Sequence, residues 1–135
     1  MARPSIALAG EEGVEYLVLE DLIYLATRLL GDPPPIRDAG LLGSAAARPQ
    51  TMVFGEDAYP DLWTKAAALL QSIVKNHALV DGNKRLGWLS TATFLEINGV
   101  AVTAVPNDEV FRFVVDVAAG SHQIDELAGG LRRLA

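Results

Sequence analysis

The chain has no cysteine. Disulfides, thiolate metal sites and a cysteine nucleophile are therefore excluded, and the composition suits a reducing cytoplasm, the location expected for it. No apolar run approaches the roughly 20 residues that cross a bilayer. Met1 to Gly10 offers one cation, Arg3, ahead of a short Ile6-Ala7-Leu8-Ala9 run, which is too weak for a secretory signal. Positive charge is scarce: 11 Lys and Arg against 17 Asp and Glu give a net charge of -6. That balance argues against direct, sequence-independent nucleic-acid binding, which depends on cations meeting phosphate. Neither a Walker A sequence nor a kinase glycine-rich loop is present.

What remains is a chain of 135 residues, half of them hydrophobic, enough for one domain with a conventional core. Residues 1–14 carry few periodic signals and read as a flexible lead-in to a domain at 15–135. Tyr16-Leu17-Val18-Leu19 is β-prone and reads as one strand or an extended docking segment. Helical periodicity predicts six helices, at about 20–30, 38–47, 61–79, 83–98, 106–119 and 123–134. Asp38 suits an N-cap, and Gly31 suits a C-terminal cap before Pro33-Pro34-Pro35. The helix at 83–98 is apolar nearly all round, which predicts a central, buried position. Val110, Phe111 and Val114 predict the core face of the helix at 106–119. Residues 49–60 form the longest connection. Its Met52, Val53, Phe54 and Tyr59 predict a loop folded onto the core, with a flap holding a partner segment as the alternative. There is no internal repeat and no linker, so the fold class is all-α, a compact single-domain bundle of about six helices.

Chemistry concentrates in His77-Ala78-Leu79-Val80-Asp81-Gly82-Asn83-Lys84-Arg85, between two of the predicted helices. His77 continues the apolar stripe of Leu70 and Ile73. Asn83 is placed to cap the next helix. Lys84 and Arg85 then occupy its first turn, where cations oppose the helix dipole. A bound anion resolves that conflict: free N–H groups with a Lys and an Arg beside them form a phosphate site, and Gly82 lets the backbone come close. Asp81 is a natural Mg²⁺ ligand beside phosphates. His77 can remove a proton from an incoming hydroxyl. Together these are the parts of a phosphoryl- or nucleotidyl-transfer site. The residues alone leave a second reading open, in which a buried histidine, an ordinary Asp-Gly-Asn turn and a solvated Lys-Arg pair make no site at all. His122, in the turn before the last helix, reads as a solvated or capping residue.

The same nine residues resemble the H-x-F-x-D-x-N-K-R motif of the Doc (death-on-curing) toxins, a branch of the Fic superfamily. Ile36-Arg37-Asp38, Leu41-Leu42, Ala47-Arg48-Pro49-Gln50, Phe54-Gly55 and Phe94-Leu95-Glu96-Ile97-Asn98-Gly99 are similar to that family too, so the resemblance runs from about residue 15 to 134. It implies a six-helix Fic/Doc-like fold. It implies His77 as general base, Asp81 as Mg²⁺ ligand, Arg85 as a catalytic cation, and Gly82, Asn83, Lys84 and Arg85 as the ATP-phosphate cradle. Lys84 stands where AMP-transferring relatives have a second glycine, and Trp88 where they have a further arginine. Both differences point away from AMP transfer. The resemblance therefore implies a toxin that phosphorylates a hydroxyl of a protein like elongation factor Tu and stops translation. It also implies a Phd-like antitoxin whose C-terminal segment folds onto the toxin. An AMP transferase and a non-catalytic binding module of the same fold are the alternatives. Leu79 replaces the motif phenylalanine, with a small packing effect expected.

Overall fold

The structure, a computed structural model, describes residues 13–135. The lead-in expected at 1–14 therefore lies outside the described residues, apart from Gly13 and Val14. Six helices follow: α1 (Leu19–Leu30), α2 (Ala39–Ala47), α3 (Leu62–Asn76), α4 (Asn83–Ile97), α5 (Asn107–Ala119) and α6 (Ile124–Leu134). The all-α bundle is as expected. Its starts are built by the expected local chemistry. The Asp38 carboxylate accepts the Leu41 N–H at 3.0 Å, and that of Asp61 accepts the Thr64 N–H at 2.9 Å. Asp21 and Glu126 fold back onto the backbone N–H of Val18 and Gln123.

The centre of the bundle is α3, not α4 as its composition predicts. Every residue from Thr64 to Leu70 is buried, as are Ile73 and Val74. This helix packs against α2, α4, α5, α6 and the short 3₁₀ turn at Arg48–Gln50. Three consecutive alanines, Ala66 to Ala68, leave room for neighbours on all sides. Composition misleads about α4 because only part of its apolar surface meets the core. Leu86, Phe94 and Leu95 are buried, whereas Trp88, Leu89 and Ala92 line an open groove. Helices α3 and α4 approach closely at Gly87, where a methyl group would lie 2.7 Å from Val74 Cγ2.

Residues 49–60 do not form the predicted loop folded on the core. A two-residue turn at Phe54-Gly55, both with positive φ (52° and 81°), reverses the chain into a small hairpin. Strand β1 (Met52–Val53) pairs antiparallel with β2 (Glu56–Asp57), Met52 opposite Asp57 and Val53 opposite Glu56. The reversal comes before the apolar residues reach the core, so Met52, Val53 and Phe54 stay exposed. The hairpin's base is fixed instead. Buried Lys65 donates to the Tyr59 carbonyl and pairs with Asp57 at 3.4 Å, and Arg48 donates to the Tyr59 hydroxyl at 2.9 Å. Arg48 further reaches Gln71 and Ser72 of α3.

Residues 13–18 form no strand. They run extended, with Leu17 buried, and are docked by a side chain. The buried Asn98 carboxamide accepts the Glu15 N–H and donates to the Glu15 carbonyl, both at 2.9 Å, which gives the segment the pairing a neighbouring strand would have supplied. Asn83 does the same for the α3–α4 turn: its Oδ1 accepts the Leu79 N–H and its Nδ2 donates to the Leu79 carbonyl, each at 3.0 Å. The Leu79 side chain is buried, so leucine fills the motif's aromatic position within the core. From the other side, a strap at 35–38 ties the same turn. Pro35 accepts the Val80 N–H at 2.8 Å, and the Ala78 carbonyl accepts the N–H groups of Arg37 and Asp38 at 2.8 and 3.0 Å.

Two substitutions test these packing arguments. Asn83→Ala leaves both polar groups of Leu79 unpaired and lowers the free energy of unfolding by about 1–3 kcal/mol, read by urea denaturation without nucleotide. Gly87→Ala forces α3 and α4 apart and costs about 1–3 kcal/mol in the same assay. An unchanged midpoint in either variant contradicts the corresponding contact.

Candidate active site

Helix α3 ends at Asn76, three residues before the predicted end. His77 then takes a left-handed conformation, φ 56° and ψ 44°. The apolar periodicity therefore does not carry through to it. His77 is exposed, while Ala78 and Leu79 turn into the core in its place. The reading of His77 as a buried core histidine is thereby excluded. Its carbonyl oxygen accepts a hydrogen bond from the Arg37 guanidinium. Arg37 is the residue of this corner to which sequence reasoning assigned no role. The available signal was the Ile36-Arg37-Asp38 stretch after three prolines.

Gly82, not Asn83, is the N-cap of α4. Its φ of 93° is the left-handed value that glycine adopts freely. An added methyl group there would also lie 2.8 Å from Leu30 Cδ1. Glycine has no side chain with which to cap a helix, and Asn83, the first helical residue, spends its carboxamide on Leu79. The first α4 N–H to meet a helix carbonyl among the described residues is that of Leu86, bonded to Gly82 at 2.9 Å. Helices α1, α5 and α6 begin with acidic residues, and α2 and α3 with aspartate caps. Helix α4 has neither, and puts Lys84 and Arg85 in its first turn.

His77, Asp81, Gly82, Asn83, Lys84 and Arg85 all line one groove of about 980 Å³, so every site residue predicted from the sequence shares this space. Asp81, Lys84 and Arg85 are exposed, and among the described residues their side chains have no hydrogen-bond or ion-pair partner. Cations and N–H groups that meet no partner among the described residues are suited to hold an anion. The Asp81 carboxylate is likewise open to a cation. Among the described residues no three acidic or histidine side chains gather into a metal cage. A magnesium ion fits such a place, being commonly held by one carboxylate with phosphate oxygens and water.

Beyond this end the groove is mostly apolar, walled by Trp88, Leu89 and Ala92 of α4 and by Val110, Phe111 and Val115 of α5, with Lys75 and Asn107 as further polar residues of its lining. Phe111 is not the core residue its periodicity predicts. It is 66% exposed, because Val114 and Val117 carry the buried face of α5 and its neighbours face the groove. His122 lies away from this site. It contacts the Asp116 carboxylate at 3.1 Å and the last turn of α5, which fits the capping role predicted for it.

The Fic/DOC family model matches residues 16–95, which hold the strap, the hairpin, the turn and most of α4. Toxin Doc of Mycolicibacterium smegmatis is 48% identical over 122 residues, an alignment that covers 90% of this chain and 94% of that protein. With a helical bundle of the expected pattern and a likeness that spans nearly its whole length, the chain belongs to the Fic/Doc family.

Proposed function

We propose that this chain is the toxin of a toxin–antitoxin system and acts in the cytoplasm as a protein kinase. It would transfer phosphate from ATP to a threonine or serine hydroxyl of a protein like elongation factor Tu, and so halt translation. One observation carries the reading: the start of α4, with no side-chain cap, no acid in its first turn and two cations that have no partner among the described residues, opens into the same groove as His77 and Asp81. Relatedness to Toxin Doc supports the toxin assignment. Among the described residues no helix is long and apolar enough to cross a membrane, which suits a cytoplasmic target.

In this mechanism the N–H groups of α4 with Lys84 and Arg85 hold the phosphate oxygens and stabilise charge as it develops. Asp81 would hold magnesium, which when bound would neutralise phosphate charge. His77, exposed at the groove's edge, accepts the proton of the attacking hydroxyl. The new bond joins that oxygen to the terminal phosphorus, the bond to the bridging oxygen breaks, and ADP departs. Most of the catalysis is then positioning and charge stabilisation.

The apolar length of the groove suits an antitoxin segment, such as the C-terminal part of a Phd-like protein, with its own apolar stripe. Such a segment would lie beside the phosphate end and deny it to substrate.

Mass spectrometry of elongation factor Tu incubated with the toxin and ATP–Mg²⁺ should reveal an added phosphate. An added AMP group would instead identify an AMP transferase, and no modification of any protein in a treated lysate would leave only a binding module. His77→Ala and Asp81→Ala should each lower transfer by at least about a hundredfold while the fold is kept. Phe111→Asp should leave toxicity intact but weaken antitoxin binding by roughly thirtyfold, since an exposed aromatic anchor is replaced by a charge. Unaltered neutralisation by the antitoxin would place its segment elsewhere.

A further inference from the structure

We infer that Arg37 is a positioning residue for His77, an inference that rests on the reading of His77 as the base. His77 is not glycine, yet it holds φ 56° and ψ 44°. An L residue keeps such a conformation only where its surroundings fix it. The backbone of the strap fixes the following residues: Arg37 and Asp38 N–H groups bond the Ala78 carbonyl, and Ile36 lies opposite Leu79. None of those bonds reaches His77. Among the described residues the group that does is the Arg37 guanidinium, which donates to the His77 carbonyl oxygen.

Two features separate this contact from ordinary packing. Arg37 is exposed, so its side chain adds little to the core. Its charge also sits at the C-terminal end of α3, where a cation is favoured by the helix dipole and by carbonyls lacking helical partners. A guanidinium on the His77 carbonyl fixes the peptide plane between His77 and Ala78, and with it the direction in which the imidazole leaves the backbone. Since His77 lies past the last turn of α3, no other helical bond sets that direction. The strap thus supplies, from 40 residues upstream, the last restraint on the proposed base. Without it His77 can relax toward ordinary φ values, and the base leaves its place while Lys84, Arg85 and Asp81 keep theirs.

The test compares Arg37→Ala and Arg37→Lys with the unaltered toxin, after thermal denaturation confirms that each variant is folded. Arg37→Ala should lower kcat for phosphate transfer by about tenfold or more, as expected for a displaced reacting group, with the KM for ATP unchanged within about twofold. Arg37→Lys retains a cationic donor and should recover most of the rate. In parallel, the backbone ¹³Cα shift and the H–N–C–H coupling of His77 should depart from left-handed values in Arg37→Ala and stay near them in Arg37→Lys. Unchanged His77 signals overturn the inference, as does an unchanged kcat. A KM rise with kcat preserved overturns it too, by making Arg37 a nucleotide contact. Should the unaltered toxin transfer no group at all, the proposed function fails, and the His77 signals alone decide whether Arg37 sets its backbone.

Discussion

The paired hydrogen bonds between the Asn83 carboxamide and the backbone of Leu79 determine where the site is. Leu79 is buried, so its N–H and carbonyl need partners, and each lost bond costs on the order of 1 kcal/mol or more. Asn83 supplies both from the first residue of α4. The turn is thereby closed in a single register. The start of α4 is set relative to the end of α3, and Val80, Asp81 and Gly82 are pushed outward as the only residues left to span the gap. With the carboxamide committed to this task, no side chain among the described residues caps α4. The same contact that orders the turn leaves the helix start open.

That opening has an energetic signature. Cations in the first turn of a helix cost a few tenths of a kcal/mol to about one each. The chain accepts this at α4 while giving acids or aspartate caps to the five other described helices. The cost is small against the core built around α3, where nine buried residues contact four other helices and the 3₁₀ turn. A central helix with small residues along it tolerates an unfavourable neighbour. The site is thus carried on the rigid junction of the two best-packed helices, not on a mobile loop, which suits chemistry that depends on position.

Helix number and boundaries were legible in the sequence because periodicity, caps and glycine stops agree there. Observed starts fall within a residue of the expected ones, and the one large error, at the end of α3, lies at the site. Periodicity assumes that a helix continues, and it cannot register a left-handed residue such as His77. The site's composition was also legible, since its residues lie within nine positions. What escaped was long-range. The Arg37 contact joins residues 40 apart, and the Asn98 clamp on Glu15 spans 83. Hydrophobicity alone could not tell the α4 face against the core from the face left open, nor assign Phe111 to a groove. The assignment of Asn83 as a cap failed for a related reason: its side chain can bond forward to the helix or backward to the turn, and only the buried backbone of Leu79 decides.

On the proposed reading, the first turn of α4 also limits what the groove can hold. Lys84 and Trp88 are one turn apart on the same face, and both line the groove. Along α4 the positive charge ends abruptly: Lys84 and Arg85 lie at the helix start, and from Trp88 onward this wall is apolar through Leu89 and Ala92, the groove's other cation being Lys75 of α3. A phosphate chain running along α4 would leave its cations within one helical turn, about 5.4 Å. On the α4 side an anion is favoured at the end where N–H groups, Lys84 and Arg85 converge. Charge farther along a polyphosphate would then fall to the magnesium ion that Asp81 would hold on this reading. On that reading a cation at the position of Trp88 would extend the favourable zone of this wall by a turn, and the tryptophan there leaves it to the first turn of α4.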